Sequence, residues 1–194
     1  MFVTLCGGIH LCYGDRLKCD FGNVNFHFKN QYDSLYTCKV TSLDNSNTIN
    51  GSNGVHNTNK NDKDVKGIWI HDTTAKYIPE NLGSLFNIIS FAMQNTNLVE
   101  INAKDFRGMH GLEILKFYKN SISYVSSDAF STLLQLKLIN LNDNELREIP
   151  SELFINNLNL ERIHLLSNKI KCFGTGLFNG LTKLNFVDIQ KNIS

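Results

Sequence analysis

The sequence predicts an α/β solenoid: a horseshoe of 24-residue coils with a parallel β-sheet on its concave face and a β-hairpin cap at its N-terminal end. Three observations predict it. Asn120, Asn144, Asn168 and Asn192 stand 24 residues apart. The same apolar positions surround each of them. Ahead of the repeats, Cys19 and Cys38 bracket a segment with partial apolar–polar alternation.

The apolar frame is regular. Eight residues before the Asn come Leu112, Leu136, Leu160 and Leu184; five before, Leu115, Ile139, Ile163 and Val187; three before, Phe117, Leu141, Leu165 and Ile189. After it come Ile122, Leu146 and Ile170, then Val125, Ile149 and Phe173, then Phe130, Phe154 and Phe178. An earlier copy (Ile88, Phe91, Met93, Leu98, Ile101, Phe106) has Thr96 in the Asn place. Neither the 3.5-residue period of a coiled coil nor the 3.6 of an amphipathic helix fits this frame. The positions five and three before the Asn alternate as on a strand with one buried face, so each coil contributes one short parallel strand. The Asn turns the chain inward, and its amide can satisfy backbone groups of neighbouring coils. Thr96 offers only a hydroxyl, so the first rung is expected to be held less tightly. The Phe ten after the Asn is expected to build an aromatic spine along the outer side. The pattern L-x-x-L-x-L-x-x-N-x-L at this period resembles the leucine-rich repeat.

Residues 65–194 form the array, with a degenerate first coil at 65–87 and regular repeats over 88–194. In the first coil Ile68 and Ile70 read as the strand, and Ile78 and Leu82 as the outer side. Residues 15–64 read as the cap, a hairpin closed by a Cys19–Cys38 disulfide; the competing reading is two free thiols in a cytosolic protein. Within the cap, residues 44–64 are rich in Asn and nearly free of large apolar side chains, so they are expected to be a flexible loop. Residues 1–14 read as a degenerate signal peptide, with an apolar stretch, no basic start and His10 interrupting it. Asn50 and Asn192 begin glycosylation sequons, a weak signal in an Asn-rich chain. After Ser194 the C-terminal cap is missing, so the expectation is a fragment, a truncated gene model, or pairing through an uncapped edge.

A narrower resemblance rests on the front end. Cys19-x-Phe21, Tyr36-x-Cys38-x-Val40, Asp64-Val65-x-x-Ile68-x-Ile70 and Tyr77-Ile78-Pro79-x-Asn81-Leu82 resemble the cap region of secreted, extracellular leucine-rich-repeat proteins of flies and mosquitoes. The resemblance covers about residues 19–194 and implies extracellular recognition. It brings no catalytic residues and no shared ligand.

Composition excludes several classes. Lys plus Arg number 19 against 18 Asp plus Glu, a net charge of +1, which gives no electrostatic case for nucleic acid. No apolar run reaches the roughly 18 residues of a membrane span. The six histidines lie at no metal-ligand spacing from a second His or Cys. Phosphate loops and nucleophile elbows are absent from the sequence. The chain is therefore expected to be neither an enzyme nor a holder of metal or cofactor, and Cys172 to be a small buried residue of the stack.

The informative surface is the set of strand residues between the buried ones, which alternation directs to the concave side. Ile114, Lys116, Tyr118, Leu138, Asn140, Arg162, His164 and Leu166 gather there with the composition of a binding hot spot. Changing Tyr118 and Leu138 is expected to spare folding. The leading expectation is a secreted module that binds a protein ligand or receptor through this face. The alternatives are an assembly protein that self-associates through its C-terminal edge, and an intracellular scaffold.

Overall fold

The structure, a computed structural model, describes residues 16–28, 31–42, 51–53, 55–57 and 59–192. The leader reading over residues 1–14 and the sequon residue Asn50 lie outside them. Strands form where alternation places them. β1 (Arg16–Phe28) and β2 (Gln31–Ser42) pair as an antiparallel hairpin, and β3 (Gly51–Asn53) runs parallel to β1. The coils then supply β4 (Gly67–His71) and β5 (Ser90–Gln94), followed by β6 (Glu100–Ile101) and β7 (Ile114–Lys116). β8 (Tyr124–Val125), β9 (Leu138–Asn140) and β10 (Glu148–Ile149) follow. The last are β11 (Arg162–His164), β12 (Cys172–Phe173) and β13 (Phe186–Asp188).

One nine-stranded sheet runs β13-β11-β9-β7-β5-β4-β2-β1-β3, so the hairpin continues the concave sheet of the solenoid through the parallel β2–β4 pair. From β5 onward Ser90, Ile114, Leu138, Arg162 and Phe186 align in one row, which is the 24-residue period written as register. β6 with β8 and β10 with β12 make two small parallel sheets on the same period. Turns build most of the outer side. Helix there amounts, among the described residues, to Leu82–Leu85 and a 3-10 turn at Ala103–Phe106.

The core is the frame residues. Leu112, Leu115, Phe117 and their counterparts one and two coils on are fully buried, as are Phe106, Phe130 and Phe154. The Phe130 ring lies 5.8 Å from that of Phe106 and 6.2 Å from that of Phe154, so the spine forms. It does not extend intact to the last coil: Phe178, Val187 and Ile189 are exposed, because no further coil among the described residues stacks on them.

The four Asn side chains bridge backward. Asn144 Nδ2 donates to Phe117 O at 2.8 Å in the previous coil and to Leu141 O at 3.0 Å in its own, while its Oδ1 accepts from Ile122 N at 3.0 Å. Asn120, Asn168 and Asn192 repeat this, donating to Met93 O, Leu141 O and Leu165 O, each at 2.9 Å. Thr96 plays a different part from the one expected. Its hydroxyl donates forward to Asn120 Oδ1 at 2.9 Å, so it belongs to the Asn120 rung of the next coil and starts no rung of its own. The residue before each rung (Asn95, Lys119, Asp143, Ser167, Lys191) holds φ between 53° and 56°, the left-handed turn that swings the Asn inward.

The cap carries the Cys19–Cys38 disulfide, and both cysteines are buried. Cross-linking across a separation of 19 stabilises by about 3 kcal/mol through loop closure. The flexible-loop reading of 44–64 falls partly outside the described residues. Among those described, β3 pairs with β1, residues Asp62–Asp64 form a capped 3-10 turn, and the His56 ring stacks on Phe21 at 3.9 Å between centroids. Asn57 N–H donates to the Tyr36 hydroxyl oxygen at 3.0 Å, which leaves that hydroxyl to donate to His56 Nδ1 at 3.0 Å. His56 Nε2–H then donates to Asp62, also at 3.0 Å. Asn-rich composition hid one well-placed imidazole, His56, that links the hairpin residues Phe21 and Tyr36 to Asp62.

Candidate functional site: the concave sheet face

Register sorts the concave side chains into rows that cross the strands. One row runs Gly67, Ser90, Ile114, Leu138, Arg162, Phe186; the next runs Lys39, Trp69, Ala92, Lys116, Asn140, His164, Asp188. The expected residues Ile114, Lys116, Leu138, Asn140, Arg162 and His164 therefore stand on three adjacent strands. Tyr118 and Leu166 lie just beyond β7 and β11 and are half-buried.

Two of these residues are more enclosed than expected. Ile114 and Leu138 are each 5% exposed and form, with Ala92, an apolar cluster separate from the main core, flanked by Leu35 and Trp69. Alternation gives the face a side chain occupies. It does not show that side chains on strands about 4.8 Å apart cover one another. Leu138 is thus a packing residue as well as a surface one, so the expectation that changing it would spare folding is corrected. Cys172 departs the other way. It is a free, exposed thiol, because β12 holds it at the position where Tyr124 and Glu148 also face solvent.

Sequence reasoning missed the N-terminal end of the face. Trp69 sits 4.5 Å from His71 between ring centroids, with the Lys39 ammonium 5.3 Å from the indole. The signal was present: Trp69 lies between buried Ile68 and Ile70, so alternation already points it to the concave side. His71 Nδ1 bonds Asp72 at 2.9 Å, and Asn95 donates to the same carboxylate at 2.9 Å. The Asn95 bond first, and then His71, hold the Asp72 pKa below its ordinary value.

Polar groups in the middle of the face are tuned by burial. The Tyr118 hydroxyl donates to Gln94 at 2.6 Å, and burial, aided by Asp72, pushes its pKa up. Burial lowers the Lys116 pKa. His164 is lowered first by burial and further by Arg162 and Lys116, against the opposing Asp188. Arg162 and His164 both lean on Phe186, at 5.7 Å and 4.9 Å from its ring. The arrangement is an apolar centre beside a cationic-aromatic end. Among the described residues no three His, Cys, Asp or Glu side chains are grouped to hold a metal ion, and no helix is long and apolar enough to cross a membrane.

The chain is matched by the family model described as BspA type leucine rich repeat region, in six copies over residues 76–194. No curated protein matches it. Among solved structures it is similar to a chain of the octameric complex of Latrophilin 3 (Lec, Olf), Unc5D (Ig, Ig2, TSP1) and FLRT2 (LRR). Sequence identity is 25% and the TM-score 0.59, over 67% of this chain and 39% of that one. It is similar to a chain of the Toll–Spatzle complex of Drosophila at 18% identity and TM-score 0.55, over 68% of this chain and 21% of that one. It also resembles the leucine-rich-repeat ectodomain of the receptor kinase SOBIR1 from Arabidopsis thaliana, at 18% identity and TM-score 0.50, over 90% of this chain and 79% of that one. The chain spans about two fifths of the length of the first of these.

Proposed function

The chain belongs to the BspA type leucine-rich-repeat family, and from that premise we propose that it is an extracellular module that binds a protein ligand or receptor through its concave face. The observation that carries this reading is the set of large apolar groups still open on the concave side, half-buried Trp69, Tyr118 and Leu166 and exposed Phe186, which border the enclosed cluster of Ala92, Ile114 and Leu138. Apolar area left accessible on a surface marks contact sites. The concave surfaces of stacked repeats are the usual seat of recognition. The similarity to chains from the FLRT2 and Toll–Spatzle complexes supports a partner that is a protein. The Cys19–Cys38 disulfide supports an oxidising compartment. Nothing in the reading calls for catalysis.

The test of this reading uses two half-buried residues that lie outside the enclosed cluster. Tyr118→Ala combined with Leu166→Ser is expected to leave stability within about 1 kcal/mol in thermal melts. Affinity for a partner recovered on the wild-type protein should fall by at least about 2 kcal/mol, roughly thirtyfold. Unchanged affinity would remove the concave face from the account.

A further inference from the structure

The cationic-aromatic end of the concave face has features that folding alone leaves unexplained. Pairing of β9, β11 and β13 sets Arg162 in one row between Leu138 and Phe186, with His164 beside it in the next row. The guanidinium lies over the Phe186 ring, and the His164 imidazole leans on the same ring. Arg162 Nε is shut off from water and has no hydrogen-bond partner among the described residues. A buried donor in that state costs free energy until an acceptor arrives. The planar guanidinium fork, oriented on an aromatic ring, matches a carboxylate in two parallel hydrogen bonds. Burial lowers the His164 pKa, so the imidazole beside the guanidinium is held toward its neutral form, with Arg162 and Lys116 acting in the same direction and Asp188 against them.

The neighbouring surface limits what the anion can belong to. Toward β7 the same row continues into Leu138 and Ile114, which are aliphatic. A polyphosphate backbone needs a continuous track of cations, and this row does not supply one. An extended polypeptide does fit. Alternate side chains on one of its faces are roughly 7 Å apart, so a carboxylate over Arg162 and an aliphatic group over Leu138 or Ile114 come from residues two apart.

We infer that the concave face takes an acidic, extended protein segment, with a carboxylate docked on Arg162 against Phe186 and aliphatic side chains lying on Leu138 and Ile114. The inference rests on the concave-face reading above and adds the chemistry of the partner.

Fluorescence anisotropy tests it with four labelled probes: peptides that repeat Glu-Ser-Leu-Ser (the Glu–Leu peptide), Lys-Ser-Leu-Ser (the Lys–Leu peptide) and Glu-Ser-Ser-Ser, each of which sets its charged residue and the residue two further on along one face of an extended chain, and a single-stranded DNA oligonucleotide. The Glu–Leu peptide is expected to bind at least tenfold more tightly than the other three. Arg162→Glu should weaken it at least tenfold, and Arg162→Lys should restore part of the loss, with melting temperatures of both variants checked against wild type. No binding of the Glu–Leu peptide, or equal binding of the Lys–Leu peptide or the oligonucleotide, overturns the acidic-segment inference. If Arg162→Glu still changes the binding of those other probes, the concave-face reading survives. Glu–Leu binding that ignores Arg162→Glu but is lost in Leu158→Asp on the outer side overturns both.

Discussion

Replacing Asn144 with Ala is expected to cost about 3 kcal/mol or more in urea unfolding. The Asn144 amide is buried and serves four backbone groups at once. It accepts from Ile122 N and donates to the carbonyls of Phe117, Leu141 and Asn142. Alanine leaves those groups unmatched in the interior, and each unmatched group costs about 1–3 kcal/mol, with partial relief from relaxation. Thr96→Val is the informative control. It removes one hydroxyl, while Asn120 Oδ1 keeps the Thr96 N–H at 2.9 Å, so the loss should stay below about 1 kcal/mol. Equal losses at the two sites would mean that the amide bridges between coils carry little of the stability.

Phe130→Ala is expected to cost about 3–5 kcal/mol, the range for a fully enclosed aromatic. Its ring spans the gap between the Phe106 and Phe154 rings of the coils on either side. Collapse into the hole would require the pitch of the stack to change, so little of the cavity can close. Phe178→Ala, at the same position in the last coil, should cost far less because that ring is 38% exposed. A loss below about 1.5 kcal/mol at Phe130 would show that the outer side is loosely packed and that the spine does not set the coil spacing.

The backbone plan was legible in the sequence because it depends on period alone. Asn at 24-residue intervals, with apolar residues five and three before it, fixes strand, face and register together, and the partial alternation between Cys19 and Cys38 fixes the cap hairpin. What was hidden depends on neighbours in space. The left-handed residues before each rung are Asn95, Lys119, Asp143, Ser167 and Lys191, chemically too mixed to signal one conformation. Asn157 occupies a place where Leu133 and Leu181 stand one coil away, and it is fully buried. It is tolerated there because Nδ2 donates to Phe130 O and Leu133 O, both at 2.9 Å, although its Oδ1 finds no partner. No pattern of hydrophobicity could anticipate that substitution. The candidate site was half legible. Its rows follow from alternation, whereas the enclosure of Ile114 and Leu138, and the Trp69 end, follow from which strands become neighbours.

The central claim is that recognition belongs to the concave sheet face, and hydroxyl-radical footprinting of the complex with a captured partner tests it most directly. The account predicts protection of Tyr118, His164 and Leu166, with Leu134, Ile155 and Leu158, which are exposed, labelled equally in free and bound protein. Protection of Leu134, Ile155 and Leu158 with Tyr118, His164 and Leu166 unchanged would contradict it and place the partner on the outer side of the coils.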